Sequence, residues 1–222
     1  MSKLSSVEKK SRADTTRERV VAAAALEFAT KGFHRTNLSD IADRCDITKA
    51  SLYHYFPSKH DLAIVLITLQ RADAKTAVDS VVTHGIPALE SAVDISFVIA
   101  RELTDSPLGR AGLRLTEEIG RDAGIYHEVR MEWESSFTPL LAKAAAEGDV
   151  TSDYPASFLA RVVSSLFVGL LNSAPGCDAD ELIRDLQRAW LIILPGIVPP
   201  DKIAYFTQFV GRRAEVRAPT AL

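Results

Sequence analysis

Apolar residues recur at helical spacing along almost the whole chain, and this periodicity constrains the fold more than any other feature of the sequence. Val21, Ala25 and Phe28 repeat at intervals of four and three residues, which places them on one face of an α-helix. Similar stripes follow in later segments, and no alternation of polar and apolar residues is long enough to indicate a strand. The chain is therefore predicted to be all-α, with about ten helices.

Glycine, proline and capping residues divide this pattern into segments. Gly32 is expected to stop the first helix, Thr48 to cap a short third helix at Lys49–Tyr55, and Ser58 with Asp61 to open a long fourth helix. That fourth helix and the later segments are expected at about residues 62–82, 88–103, 108–118, 126–147, 156–173, 179–194 and 200–212.

Composition is typical of a compact globular protein. Of the 222 residues, 47% are hydrophobic and 25% are charged, which predicts a sizeable core. Two cysteines, Cys45 and Cys177, are too few for a disulfide framework. The polar, basic beginning lacks the apolar stretch of a signal peptide, and no apolar run approaches the ~20 residues that cross a bilayer. We expect a cytoplasmic protein with no membrane partner.

Charge is unevenly distributed, although the formal net charge is only −3. Residues 1–61 carry 11 Lys and Arg against 8 Asp and Glu, whereas the remaining 161 residues carry 15 against 21. This distribution favours an N-terminal part that meets a polyanion. An asymmetry of this size also arises by chance, so the argument for nucleic acid depends on particular residues.

The stretch from Phe33 to Lys59 has the spacing of a helix-turn-helix. Two short helices are separated by a three-residue turn, Cys45–Ile47, and the second of them turns Leu52 inward. Its outer side offers a cation, a methyl group, a hydroxyl, a phenol and an imidazole, from Lys49, Ala50, Ser51, Tyr53 and His54. A helix with these groups can enter the major groove of DNA, which is about 12 Å wide. For each residue taken singly, a solvated helix face is the alternative.

Taken together, the strings T-x-L-x-D-I-A (36–42) and I-T-K-x-x-L-Y-x-Y-F-x-S-K-x-D-L (47–62) resemble the DNA-binding domain of the TetR family of bacterial repressors. The resemblance covers roughly residues 15–65. It implies that residues 48–55 lie in the major groove of a double-stranded operator. The contacts to bases or phosphates that it implies come from Asn37, Ser39, Thr48, Lys49, Ser51, Tyr53, His54 and Lys59.

Two residues depart from the family pattern. Asp46 stands where the family usually has glycine in the turn, and aspartate tolerates the left-handed backbone conformation that such a turn needs. Ala50 replaces a common glycine on the groove-facing helix, so its methyl group changes what can approach the DNA. We therefore include Ala50 among the candidate DNA-contacting residues and expect an operator preference that differs from that of relatives.

The C-terminal part is similar to the γ-butyrolactone-receptor branch of the family. The similarity rests on P-L-G-R-A-G-L-R-L-T (107–116), on Trp133, and on W-L-I-I-L-P-G-I-V-P (190–199). Members of that branch sense diffusible butyrolactone or butenolide signals. The chain is accordingly expected to comprise a flexible basic tail (1–13), a helix-turn-helix domain (14–60), a ligand-binding and dimerisation domain (61–213) and a second flexible tail (214–222).

The resemblance also implies that Trp133 lines a pocket for a small amphipathic effector. An indole offers a flat apolar wall and one N–H donor, although plain core packing is the alternative. Phe97, Val98 and Phe167 are further candidates for this pocket, each also compatible with a place in the core.

The last long helices are expected to join two copies of the chain. Residues 156–173 are too apolar for a half-exposed helix, and Ser164, Ser165 and Gly169 would let a partner helix come close. In TetR repressors such helices form a four-helix bundle between subunits, and burial within one subunit is the alternative. The interface candidates are Leu159, Val163, Leu166, Leu170, Leu186 and Trp190. A homodimer also suits the mechanism, because two recognition helices about 34–36 Å apart can read a palindrome.

Motifs of hydrolysis, ATP use and dinucleotide binding are missing from the sequence, and the five histidines show no metal-ligand spacing. No enzymatic activity, metal or cofactor is therefore expected. The leading hypothesis is a repressor that a butyrolactone-like signal releases from its operator. One alternative keeps the DNA-binding part but makes the body a sensor of an antibiotic or hydrophobic drug, controlling an efflux or biosynthesis gene. A helical enzyme or acyl-binding module is the third.

Overall fold

The computed structural model describes residues 12–83, 85–121, 124–173 and 179–216. These residues form ten α-helices and no strand, which confirms the predicted all-α fold. In chain order the helices are α1 (Arg12–Arg35), α2 (Leu38–Arg44), α3 (Lys49–Tyr55), α4 (Lys59–Thr83), α5 (Ala88–Asp105), α6 (Pro107–Glu118), α7 (Ile125–Ala146), α8 (Ala156–Ser173), α9 (Ala179–Ile197) and α10 (Ile203–Glu215).

Several helix ends differ from the expected boundaries by up to three residues, among them the end of α9 and the start of α10. α9 continues through Pro195 to Ile197, because proline removes a single N–H and the last turn remains closed by other bonds. The Val198 N–H donates to the Leu194 carbonyl at 2.9 Å, and the Thr151 N–H donates to the Ile197 carbonyl at 2.8 Å. α10 begins only at Ile203, after two consecutive prolines.

Most of the two expected tails lies outside the described residues. Where the chain is described, α1 already begins at Arg12 and α10 runs to Glu215, so the helical part extends slightly into both expected tails.

Two hydrophobic clusters hold the chain together. The N-terminal cluster is built on α1 to α4 and includes Phe28, Ile41, Leu52 and Leu66. The larger cluster joins α5 to α7, α8, α9 and α10. Helix α6 contributes to the N-terminal cluster through Ala111, Leu115 and Ile119, while its Leu113 packs against the larger one.

Trp190 lies at the centre of the larger cluster and is fully buried. Its indole N–H donates to Ser96 Oγ at 2.8 Å, and its ring centroid lies 5.5 Å from that of Phe167. Because one chain alone buries this indole, Trp190 has no surface to offer a second subunit. The same correction applies to the other expected interface residues that are buried within the subunit, Leu159, Val163 and Leu186.

The backbone of α1 breaks at Gly32, which has φ 76° and ψ 177°, a region that is essentially restricted to glycine. The expected stop is therefore a break, after which the helical turn resumes and ends at Arg35. A Cβ atom at residue 32 would lie 2.3 Å from Glu118 Oε1 and 2.7 Å from Arg114 Nε. Glycine is thus required both for its backbone conformation and for the approach of α6.

Replacing Gly32 by alanine is expected to lower the free energy of unfolding by at least about 1–3 kcal/mol, the cost of such a backbone conformation. The displaced side chains of α6 add to this loss. Urea denaturation followed by far-UV circular dichroism measures the change.

Gly124→Ala is the matched control. Gly124 also has a positive φ, 74°, but with ψ −7°, and no atom would meet its Cβ within 4 Å. The expected loss there is only the left-handed penalty of about 1–2 kcal/mol. Equal losses in the two variants would contradict the role assigned to the contact with α6.

Candidate DNA-binding surface and ligand cavity

The turn between α2 and α3 is closed by backbone hydrogen bonds. Asp46 adopts φ 53°, the left-handed conformation expected from its place in the sequence. The Ile47 N–H donates to the Ala42 carbonyl at 3.1 Å. Thr48 caps α3 as expected, with Oγ1 accepting from the Ser51 N–H at 3.1 Å. Helix α3 is therefore held at a defined angle to α2.

Helix α3 is buried on one side and open on the other. Leu52 and the adjacent Phe56 are buried in the N-terminal cluster, so they anchor the helix from beneath. Tyr53 is 44% exposed. The same outward surface carries exposed Lys49, Ala50, Thr48 and His54 and the half-buried Ser51. The described chain therefore leaves this polar face of α3 open to a large partner.

Asn37 and Ser39 lie where α2 begins. Both are exposed, and the Asn37 side chain makes no capping hydrogen bond to the helix. Their side chains thus point away from the N-terminal cluster and remain candidates for phosphate contact.

Lys59 does not point outward as a phosphate contact would require. Its Nζ donates to the carbonyl of Phe33 at 2.7 Å and to that of Thr36 at 3.0 Å. The ammonium also lies 4.4 Å from the centroid of the Phe33 ring. Two of its three donors are therefore used to hold the last turn of α1 and Thr36, which follows it, and this corrects the role expected for Lys59.

A buried carboxylate braces α2 against α1. Glu27 accepts a hydrogen bond from Arg44 at 2.6 Å and pairs with Lys31 at 2.7 Å, while Lys31 also contacts Asp40 at 2.8 Å. The hydrogen bond from Lys31 is the largest effect on the pKa of Glu27, and with Arg44 it holds this pKa below its ordinary value despite burial. The sequence analysis missed this network.

Cys45, at the end of α2, packs inside the N-terminal cluster. Its thiol is buried and donates to the Arg19 carbonyl at 3.4 Å. Burial raises the pKa of the Cys45 thiol, which disfavours the reactive thiolate. The residue therefore serves as a small core side chain.

A cavity of about 610 Å³ lies in the body of the protein, within the range of small-molecule sites. Helices α4, α5, α6, α7 and α8 form its wall, which is largely apolar. Trp133 lines it, as expected, and its ring is stacked on that of Phe137 at a centroid distance of 6.2 Å. The cavity is thus large enough for a compact ring with a hydrophobic chain.

Two buried polar side chains line this cavity. Gln70 is 7% exposed and Thr116 is 8% exposed, and within the described residues neither side chain makes a hydrogen bond to protein. Sequence analysis missed both. For Gln70 the signal was present, because it continues the buried stripe of Leu62, Leu66 and Ile67 along α4.

The remaining expected pocket residues do not line this cavity. Phe97 and Phe167 are buried in the larger cluster, and the half-buried Val98 packs against it. Phe167 lies behind the cavity wall, with its ring 5.9 Å from that of Phe137. These three assignments are corrected, because helical periodicity identifies apolar faces without telling core from cavity.

Ion pairs lie along one side of the cavity. Arg71 on α4 reaches Glu128 at 3.0 Å and also pairs with Glu132, both on α7. The hydrogen bond to Glu132, with that to Glu128, raises the pKa of the Arg71 guanidinium. This bridge ties α4 to α7 beside the cavity.

Helices α8 and α9 expose an apolar surface that has no partner within the described chain. Phe158, Val162 and Leu191 are partly exposed and Ile192 is 78% exposed. Ser165 and Gly169 continue the stripe on α8, and nothing lies within 4 Å of a Cβ built at Gly169. The expected interface residues Leu166 and Leu170 are half-buried at its side.

None of the helices within the described ranges is long and apolar enough to span a membrane. Among the same residues, no group of three or more His, Cys, Asp or Glu side chains could hold a metal ion.

Two family models match the chain. Residues 20–66 match bacterial regulatory proteins of the tetR family, and residues 86–199 match the tetracyclin repressor-like C-terminal domain. The A-factor receptor protein of Streptomyces griseus is 31% identical over 198 residues, which cover 89% of this chain and 69% of that relative. The regulator EthR of Mycolicibacterium smegmatis is 23% identical, with 81% of this chain and 86% of EthR covered.

Solved structures agree with these relatives. A gamma-butyrolactone receptor (ArpA like protein) has a TM-score of 0.77 and 28% identity, covering 92% of this chain and 99% of its own. CprB of Streptomyces coelicolor, solved with its operator sequence, has a TM-score of 0.78 and 28% identity, covering 93% and 100%. The resemblance to γ-butyrolactone receptors is thereby confirmed. The chain belongs to the TetR family of bacterial transcriptional regulators.

Proposed function

We propose that this chain is a transcriptional repressor that binds a palindromic operator as a homodimer and leaves it when a butyrolactone- or butenolide-like molecule binds. The observation that carries the proposal is the open polar face of α3, supported from beneath by buried Leu52 and Phe56. Such a regulator acts in the cytoplasm, where its DNA is.

Within this proposal, Lys49, Tyr53 and His54 meet base edges, because they lie on the outward side of α3. Hydrogen bonds to base edges specify sequence, whereas contacts to phosphates set the position of the protein. The exposed Ala50 lets the helix come close to the groove. Asn37, Ser39, Thr48 and Ser51 supply polar groups for the phosphates on either side.

The dimer is proposed to form through the exposed stripes of α8 and α9. Apolar side chains such as Val162 and Ile192 lose water contact when a second copy covers them. Gly169 allows the two α8 helices to approach closely. A palindromic operator requires that the two-fold axis of this dimer bring both copies of α3 to the same side.

The effector is proposed to lie against Trp133 in the cavity. The Gln70 amide and the Thr116 hydroxyl can both donate to the oxygens of a lactone ring, and they lack partners in the described chain. The apolar remainder of the wall suits a hydrophobic chain on that ring. Hydrogen bonds from these two side chains to the ring oxygens then contribute to affinity.

A cationic drug is the second candidate for this cavity, and one observation favours it. Glu117 lines the cavity and has no ion-pair partner within the described chain. A carboxylate beside aromatic groups attracts a hydrophobic cation. The regulated gene would then encode efflux or biosynthesis of that drug.

Replacing Tyr53 by alanine is expected to weaken operator binding at least about 30-fold. A base contact is worth about 1–3 kcal/mol, and the dimer loses it twice. Fluorescence anisotropy with an operator selected by the wild-type protein from random duplexes measures the affinity.

Tyr205→Ala serves as the control, since this phenol on α10 is 49% exposed but far along the chain from α3. The affinity of the Tyr205→Ala variant for the operator is expected to stay within about twofold of wild type. Undiminished binding by the Tyr53 variant would refute the assignment of α3.

Replacing Ile192 by glutamate is expected to convert the dimer into a monomer, because two carboxylates would enter one apolar interface. The exposure of Ile192 allows the subunit to remain folded. Sedimentation velocity measures the change in mass. Met131→Glu, at an exposed apolar residue of α7, should remain dimeric, and a dimeric Ile192 variant would exclude this surface.

A γ-butyrolactone with a hydrophobic side chain is expected to quench the fluorescence of Trp133. The signal should survive in Trp190→Phe, because Trp190 is buried away from the cavity, and should be lost in Trp133→Phe. Gln70→Leu should weaken binding about tenfold, the value of one hydrogen bond.

A quaternary ammonium ion of similar volume provides the opposing probe. Binding of this cation, with no binding of the lactone and loss of the signal in Glu117→Gln, would replace the lactone by the second candidate.

A further inference from the structure

The segment around the break in α1, residues 29–34, is held by two side chains of α6. The Phe33 N–H donates to Glu118 Oε2 at 2.6 Å. Arg114 donates to the carbonyls of Ala29 and Thr30 at 3.3 and 3.1 Å. The two side chains also pair with each other, with 2.8 Å between Arg114 Nε and Glu118 Oε1. All these contacts lie at the break in α1.

The chemistry of these contacts matches the two ends created by the break. A helix that ends leaves carbonyl groups without partners, and the turn that follows leaves N–H groups without partners. Arg114 meets the carbonyls before Gly32, and Glu118 meets the N–H groups after it. Burial is the largest single influence on the pKa of Glu118 and raises it. The hydrogen bond and charge of Arg114, with the bonds from the Phe33 and His34 backbone, together outweigh burial and lower this pKa below its ordinary value.

The same turns of α6 form part of the cavity wall. The cavity is lined by Leu113, Thr116 and Glu117. All three lie within two residues of Arg114 or Glu118. Helix α6 therefore presents one side to the effector and a neighbouring side to the DNA-binding unit. Because a helix moves as a stiff body, a shift at Thr116 displaces Glu118 as well.

Contact with α4 restricts how α6 can move. A Cβ atom built at Gly112 would lie 2.6 Å from the Cβ and Cγ atoms of Gln70. The two helices are thus at closest approach where Gln70 enters the cavity. Because no space separates the two helices at this contact, an effector that displaces one of them also displaces the other.

We propose that Arg114 and Glu118 are positioning residues that fix the helix-turn-helix unit to the cavity wall and so set the distance between the two recognition helices of the dimer. This rests on the proposed function, because the distance matters only for a palindromic operator. Lys59 ties the same segment to the start of α4. Loss of Glu118 therefore removes the acceptor for the Phe33 N–H and the ion-pair partner of Arg114. The apolar packing of α6 against α1 and the bonds from Lys59 remain.

The test compares two operators without any effector. One is the operator that the wild-type protein selects, and the other carries one extra base pair at its centre, which moves the half-sites apart by about 3.4 Å and turns them by about 35°. Wild type is expected to prefer the selected spacing about 30-fold. Glu118→Ala should reduce this preference to about threefold, and Glu118→Gln, which keeps an acceptor for Phe33, should give a value between them.

Glu147→Ala is the matched control. Glu147 also caps a helix, accepting from the Ala88 N–H at 3.0 Å, but it does so inside the body of the protein. Its spacing preference should remain that of wild type. Circular dichroism in urea checks that every variant is folded, since loss of stability alone lowers binding to both operators equally.

An unchanged spacing preference in folded Glu118→Ala or in Glu118→Gln overturns the proposal. If the wild-type protein selects no operator, the proposed function is wrong, and this inference, which depends on it, is wrong as well. In a second arm, a γ-butyrolactone that releases wild type should release Glu118→Ala at least about fivefold less effectively, and equal release of the two proteins overturns the proposal.

Discussion

Helices α4 and α6 contribute to both hydrophobic clusters, and the rest of the structure depends on this sharing. The start of α4 packs Leu62 and Leu66 beneath the helix-turn-helix, while the later part of the helix borders the cavity. Helix α6 does the same with Leu115 on one side and Thr116 on the other. A bundle of only three helices, two of them of seven residues, is too small to bury much of its own surface. The DNA-binding unit therefore gains stability from the helices that also enclose the cavity.

The groups proposed to bind DNA and the groups proposed to bind the effector lie on different parts of the structure. The groups proposed to meet base edges stand on α3, which Leu52 and Phe56 anchor. Those proposed to meet phosphates include Asn37 and Ser39 at the start of α2, which the pair of Arg44 with Glu27 braces. None of these groups lines the cavity. The groups proposed to meet the effector include Gln70 and Thr116, which sit on the two shared helices. Under the proposed function the coupling between these two sites is reciprocal, so a dimer on its operator is expected to bind the effector less well.

Local features of the fold could be predicted from the sequence, because they depend on residues close together in the chain. The helical stripes, the cap at Thr48 and the left-handed Asp46 are of this kind. Long-range features could not. Periodicity placed Trp190 on an apolar face without showing that α5 covers that face, and the contact between Glu118 and Phe33 joins residues 85 positions apart. The outward side of α3 was predictable because a short polar face next to a buried one has few structural alternatives.

The close approach of Gly112 to Gln70 constrains how such a sensor can be redesigned. Any larger side chain at either residue would force α4 and α6 apart and disturb the DNA-binding unit together with the cavity. Cavity residues in the middle of α7 and on α8, such as Trp133 and Val168, lie outside the close contact between Gly112 and Gln70. A laboratory that wishes to retune this regulator as a biosensor therefore has one permissive side of the cavity on which to build its library.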